Sequence, residues 1–120
     1  MQKIEAFIRP EAVAPVRDAL AAAGAGGMTF VQAQGMGSQH GFTEYVRGTE
    51  VIVQTQPKVV AVVVCGDDEV DGYVDAICAA ARTGEEGKVG DGKVFVSPVS
   101  RALRIRTGET GDRALGSAGA

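Results

Sequence analysis

The 120 residues predict an α+β fold: two βαβ units whose four strands form one antiparallel sheet, with both helices on a single face. Three observations carry this prediction. Strand and helix periodicities follow one another as β-α-β, then β-α-β. One long polar run separates the halves. The strand segments are rich in β-branched residues, while aromatic content is only 5% and tryptophan is absent, so valine, alanine, isoleucine and leucine must fill the core.

The first half starts with residues 2 to 8, where Ile4, Ala6 and Ile8 alternate with Lys3, Glu5 and Phe7, a strand period. Pro10 ends that strand by removing an amide donor. From Glu11 to Ala23 the apolar positions become Val13, Val16, Leu20 and Ala23, a helical stripe that stops in the glycines of "GAGG" at 24 to 27. A second strand follows in "MTFVQAQGM".

In the second half, "KVVAVVVC" from Lys58 to Cys65 reads as a strand buried on both faces. Asp67 or Asp68 caps the next helix, whose predicted stripe is Val70, Val74, Ile77, Cys78 and Ala81. A glycine-rich loop, "TGEEGKVGDGK", leads into "VFVSPV", then "RALRIRTGE" and a small-residue tail. This is the ferredoxin-like plan. Its second sheet face is left bare, so self-association through that face is expected.

Length indicates one domain, and 45% hydrophobic with 22% charged residues describes an ordinary globular chain. A formal net charge of −3 gives no basic face for nucleic acid. The opening residues lack the apolar core of a signal peptide, and no run is long enough to cross a bilayer, so a cytoplasmic location is the default. Cys65 and Cys78 have neither CxxC spacing nor a histidine companion, since His40 is the sole histidine; buried free thiols are expected. His40 has no nucleophile near it in sequence, and Asp67, Asp68, Asp71 and Asp75 read as a solvated helix face, so no catalytic constellation emerges.

Two motifs point to anions. Gly87, Gly92 and Lys93 fit the spacing GxxxxGK, but Val94 stands where a P-loop needs a hydroxyl, and a strand rather than a helix follows. A P-loop is rejected. A backbone nest at Gly90 and Gly92, with Lys93 as cation, competes with a plain turn and a solvated lysine. In "RALRIRTG", an extended conformation puts Arg104 and Arg106 on one side and Leu103 and Ile105 on the other. That pair reads either as a phosphate-binding site or as a charged edge strand.

The segment "GSQHGFTEYVRGTEVIVQTQPK" at 37 to 58 is too long for an ordinary connection. With "RGTE" at 47 to 50, "TG" at 83 to 84, "GDGKVFV" at 90 to 96, "RIRTGE" at 104 to 109, Pro10, "GMT" at 27 to 29, "GMGSQHG" at 35 to 41 and "PK" at 57 to 58, the chain resembles the PII nitrogen-regulatory signal proteins from Met1 to about Glu109. The resemblance implies a barrel-shaped homotrimer that covers the bare sheet face, with ATP or ADP in the clefts between subunits. The domain spans residues 1–112, with a T-loop at about 37–56 that inserts into partners, a B-loop at about 83–93 and a C-loop at about 101–109; residues 113–120 are predicted to be a disordered tail.

Carried over from the family, the nucleotide-binding positions are Thr29, Gly35, Gly37, Ser38, Gln39, Val64, Gly90, Asp91, Gly92, Lys93, Arg104 and Arg106. Thr29 and Val64 flank the adenine, and the two arginines reach across the cleft. Gln39 would also help hold a magnesium ion joining ATP to 2-oxoglutarate, with Arg9, Gly41 and Lys58 contacting that effector. The implied role is non-enzymatic control of an ammonium transporter or a nitrogen-assimilation enzyme or regulator.

The chain departs from the family pattern in places. Val51 replaces the T-loop tyrosine that is uridylylated in many members, and Thr49 falls where some carry a phosphorylatable serine. Val62 replaces a glutamate, Ser38 an arginine, and "EEG" at 85 to 87 lengthens the B-loop. These leave open a divergent sensor of another small molecule, such as bicarbonate, that regulates a transporter or carbon uptake. A small ATP-hydrolysing enzyme dependent on Lys93 is a third reading, against which the missing base counts.

Overall fold

The computed structural model describes residues 1–36, 43–46, 49–52 and 55–116, the two short segments as backbone. Strands β1 (Gln2–Ile8), β2 (Thr29–Gly35), β5 (Gln56–Cys65) and β6 (Gly92–Pro98) form an antiparallel sheet in the order β2-β5-β1-β6. Helices α1 (Val13–Ala22) and α2 (Val70–Ala81) provide the crossovers. The predicted double βαβ plan is therefore the observed one. Among the described residues, strands β3 (Thr43–Val46) and β4 (Thr49–Ile52) pair only with each other, antiparallel, so the long run between β2 and β5 carries a strand pair of its own.

Register sorts the sheet residues. Ile4 faces Val63 and Val96, Ala6 faces Ala61 and Val94, and Ile8 faces Val59 and Gly92. Directly opposed residues share a face, and this one takes the helices: Ile4, Ala6, Ile8, Val59, Ala61, Val63 and Cys65 are buried with Val16 and Leu20 of α1 and Tyr73, Ile77 and Ala81 of α2. The second face carries the row Val31, Val60, Phe7 and Lys93 and the row Thr29, Val62, Glu5 and Phe95. Phe7 meets Phe95 edge to face at 5.8 Å between ring centroids. Val31 and Phe95 are about half exposed, at 49% and 54%, so the bare face is apolar as predicted.

Several local expectations are corrected. Residues 10–12 form a 3-10 turn before α1, because Pro10 suits a first-turn position that needs no amide donor. Neither Asp67 nor Asp68 caps α2. Instead Glu69 turns back to accept from the Gly66 amide at 3.0 Å and from the Tyr73 hydroxyl at 2.8 Å. Burial and this bond push the Tyr73 hydroxyl up to about 12. Tyr73 takes the core position expected of Cys78, which is exposed. Cys65 is buried and free, and burial raises its thiol.

Candidate functional site

At the end of the sheet where β1 finishes and β5 begins, two cations gather the chain. Arg9 follows β1; its Nη2 donates to the Ala81 carbonyl at 3.0 Å, and its Nη1 lies 3.6 Å from Glu11. Its Nε is 3.4 Å from Asp91 Oδ1. Lys58, near the start of β5, donates from Nζ to the Gly90 carbonyl at 2.9 Å. Gly35 makes room for Lys58, because a Cβ there would lie 2.9 Å from the lysine Cγ. Strand ends, the base of the β3–β4 segment and the 82–92 loop are thus held together by two cationic side chains.

Asp91 organises the loop. Its carboxylate accepts from the Thr83 amide at 2.9 Å, the Thr83 hydroxyl at 2.6 Å and the Lys88 amide at 2.8 Å. These bonds, then the Arg9 charge, hold its carboxyl down to about 2. The family resemblance implies a nucleotide-binding role for Asp91; its side chain is bonded inside the loop, and the neighbouring backbone and Lys93 stay exposed. Thr83 was missed as a partner; the signal available was a Thr-Gly pair at the loop's start. Gly90 and Gly92 both have positive φ, at 102° and 116°. At Gly92 the need is absolute: a Cβ would come within 1.8 Å of the Phe7 carbonyl. Lys93, the next residue, is exposed on the bare sheet face.

The opposite end of the sheet holds the other candidates. Val64 lines a cavity of about 320 Å³ with Gly24–Gly27, Cys65, Gly66, Asp68, Glu69, Tyr73, Asp112, Leu115 and Gly116. Thr29 stands exposed at the start of β2, on the same face as Val64.

Arg104 and Arg106 are not on an extended strand. Leu103 bridges to Thr110 around a turn at 105–107, closed by Arg104 N to Glu109 O at 2.9 Å and Gly108 N to Arg104 O at 2.8 Å. The glycine at 108, with φ 73°, lets the chain reverse there. The period-two pairing of the arginines is therefore lost: Arg104 is only 16% exposed, while Arg106 is open to solvent. Arg104 Nη2 donates to the carbonyls of Ala114 at 3.3 Å and Gly116 at 3.0 Å. Within the tail predicted from residue 113 on, Arg113–Leu115 belong to a 3-10 turn at Gly111–Leu115, and Ala114 and Gly116 accept from Arg104. Only 117–120 of that tail lie outside the described residues, as do Gly37, Ser38, Gln39 and Gly41 of the site and His40.

The candidates thus form two groups. Arg9, Gly35, Lys58 and Gly90–Lys93 lie at one end of the sheet, and Thr29, Val64, Arg104 and Arg106 at the other. Between Gly92, opposite Ile8, and Pro98, opposite Gln2, the strand advances about 20 Å. One subunit does not bring the groups together.

The family model described as nitrogen regulatory protein P-II matches residues 1–109. The nitrogen regulatory protein P-II of Cereibacter sphaeroides is 49% identical over 115 residues, covering 96% of this chain and all of the relative. That of Mesorhizobium japonicum is 50% identical over 111 residues, covering 92% of this chain and 96% of its own length. Nitrogen regulatory protein P-II 1 of Escherichia coli is 49% identical over 115 residues, again 96% of this chain and all of the relative. Matched by the family model over residues 1–109 and about half identical to these relatives over nearly all of its length, the chain belongs to the nitrogen regulatory protein P-II family.

Proposed function

We propose that this protein is a non-enzymatic regulator that binds ATP or ADP between the subunits of a homotrimer, senses 2-oxoglutarate with magnesium, and reports through the 37–56 loop to a partner of nitrogen metabolism such as an ammonium transporter. The observation that carries it is the division of the candidate groups between the two ends of one sheet. A second copy packed on the bare apolar face would set one subunit's Thr29, Val64, Arg104 and Arg106 beside another's Gly35, Lys58 and Gly90–Lys93. Anionic phosphates would then meet Lys93, backbone amides and guanidinium groups from two chains.

Arg9 and Lys58 supply cations for a small effector acid at the same end as the loop. Each is already engaged with the 81–91 segment. An acid that draws Lys58 from the Gly90 carbonyl also changes the loop that meets the nucleotide, which supports coupling of the two ligands. Magnesium would take oxygens from the phosphates and from Gln39. The β3–β4 segment shifts between arrangements only by the difference in ligand affinity for them. The protein acts in the cytoplasm on this reading.

Calorimetry with ATP, ADP and AMP, each with and without magnesium and 2-oxoglutarate, tests it. ATP should bind, and 2-oxoglutarate should tighten it only when magnesium is present. Lys93→Ala should weaken ATP by about 1.5 to 3 kcal/mol, one charge-assisted hydrogen bond. Absence of ATP binding refutes the reading. Binding of ATP that 2-oxoglutarate leaves unaltered transfers support to a divergent sensor of another small molecule such as bicarbonate, for which Val51, Ser38 and the lengthened B-loop leave room.

A further inference from the structure

Arg104 is engaged by its own chain. The turn at 105–107 delivers its guanidinium to the carbonyls of Ala114 and Gly116, 3.3 and 3.0 Å away. Glu109 adds a carboxylate 4.0 Å from Nη1. These acceptors belong to the segment 111–116, whose 3-10 turn also puts Asp112, Leu115 and Gly116 along one side of the 320 Å³ cavity. The rest of its lining comes from Gly24–Gly27, Val63–Gly66, Asp68, Glu69 and Tyr73. Leu115, half-buried, is the segment's apolar contact with that cavity, while Gly111 N is tied to Ala102 O at 3.1 Å.

We propose that residues 111–116 are a self-inhibitory strap: closed, they cover the cavity and hold Arg104 on carbonyl oxygens; opened, they release its guanidinium to a phosphate. This rests on the reading of Arg104 as a nucleotide-phosphate ligand. The chemistry is a competition for one cation. A guanidinium bound to two carbonyls must give up at least one of them to fork onto a phosphate, because both acceptors lie on Nη2 and leave little of the fork facing outward. Ligand affinity then falls in proportion to the fraction of molecules with the strap open. Little holds the strap closed: it is a single short 3-10 turn, with Leu115 its one large apolar residue.

Three variants of the full protein test the proposal by ATP calorimetry. Leu115→Gly removes the anchor while keeping the chain; deletion of 114–120 removes both carbonyl acceptors; deletion of 117–120 leaves them in place. The first two should tighten ATP binding threefold or more, with a strap closed nine-tenths of the time giving roughly tenfold. The third, in which Gly116 becomes the C-terminal carboxylate and still accepts from Arg104, should not tighten ATP binding. Arg104→Ala should cost more affinity in the Leu115→Gly background than in the parent, since only there is the arginine released. Unchanged or weakened binding in both opening variants, or an equal cost of Arg104→Ala in both backgrounds, overturns the strap.

A second readout needs no nucleotide. Modification by phenylglyoxal, followed by peptide mass spectrometry, should be slow at Arg104 and fast at Arg106 in the parent, and should accelerate at Arg104 in Leu115→Gly. Equal rates at the two arginines in the parent refute the strap. If ATP binds to none of the proteins while Arg104 shows the protection described, the nucleotide reading fails and the strap stands as a contact.

Discussion

Gly92 shows how one residue can decide an edge of the sheet. It pairs with Ile8, and a methyl group there would overlap the Phe7 carbonyl, at a φ that side chains avoid. Gly92→Ala should therefore cost about 3 kcal/mol, near the upper end of single substitutions, measured by urea unfolding. A loss under about 1 kcal/mol would mean that β6 can shift away from β1. Asp91 makes a second residue-scale prediction. Its carboxyl is held to about 2, below the ordinary unfolded value of about 3.9, so the charged form is the one the fold favours. The stabilisation is complete above about pH 5 and is lost as pH falls through 4 toward 2. Asp91→Asn should be less stable than the parent at pH 7, with the difference shrinking across that acid range. A difference independent of pH would show that the charge is not what the loop uses. The motif "GDGK" made Asp91 visible as important, but its inward role depends on Thr83 and Lys88, whose approach is set by the loop's path.

The elements were mostly legible from period and composition. β1 alternates because one face meets helices and the other does not, and β5 is continuously apolar because it is a central strand whose second face carries Val60, Val62 and Val64. For helix α2 the apolar stripe puts Cys78 in the core and leaves Tyr73 out, whereas the structure buries Tyr73 and exposes Cys78, because Glu69 within reach of the hydroxyl lets the ring go inward. The C-loop went further astray. "RALRIRTG" alternates like a strand, yet Gly108 and the Leu103–Thr110 bridge turn it back on itself. The β3–β4 pair yields this scale's prediction. Gly35 and Gln56 are register partners at the edge of the main sheet, so the segment between them can be shortened without moving either strand. Replacing residues 37–54 by two glycines should leave the circular dichroism of the sheet and helices in place while abolishing partner binding. An unfolded product would make the pair structural.

For the whole molecule, the decisive feature is the bare face. Val31, Phe7, Val60, Val62 and Phe95 form a continuous apolar surface on a sheet whose other side is already covered. Exposed area of that kind favours association. Phe95→Asp places a carboxylate opposite Glu5 and against Phe7, so two like charges would have to be buried together in a trimer. Analytical ultracentrifugation should show the parent as a trimer and the variant as a monomer that no longer binds ATP. A parent that sediments as a monomer, or a monomeric variant with unchanged ATP affinity, would remove the inter-subunit site.

The amino-acid order alone determined the double βαβ plan, the strand faces and the apolar second face, which depend on short-range periodicity, and the family, which depends on motifs in order along nearly the whole chain. Tertiary structure decided the rest. It alone turned Asp91 inward, moved Tyr73 into the core, curled the arginine segment, and set Arg104 about a strand's length from Lys58. Each of those outcomes depends on groups distant in sequence meeting in space, and no local pattern encodes which acceptor a charged side chain will find.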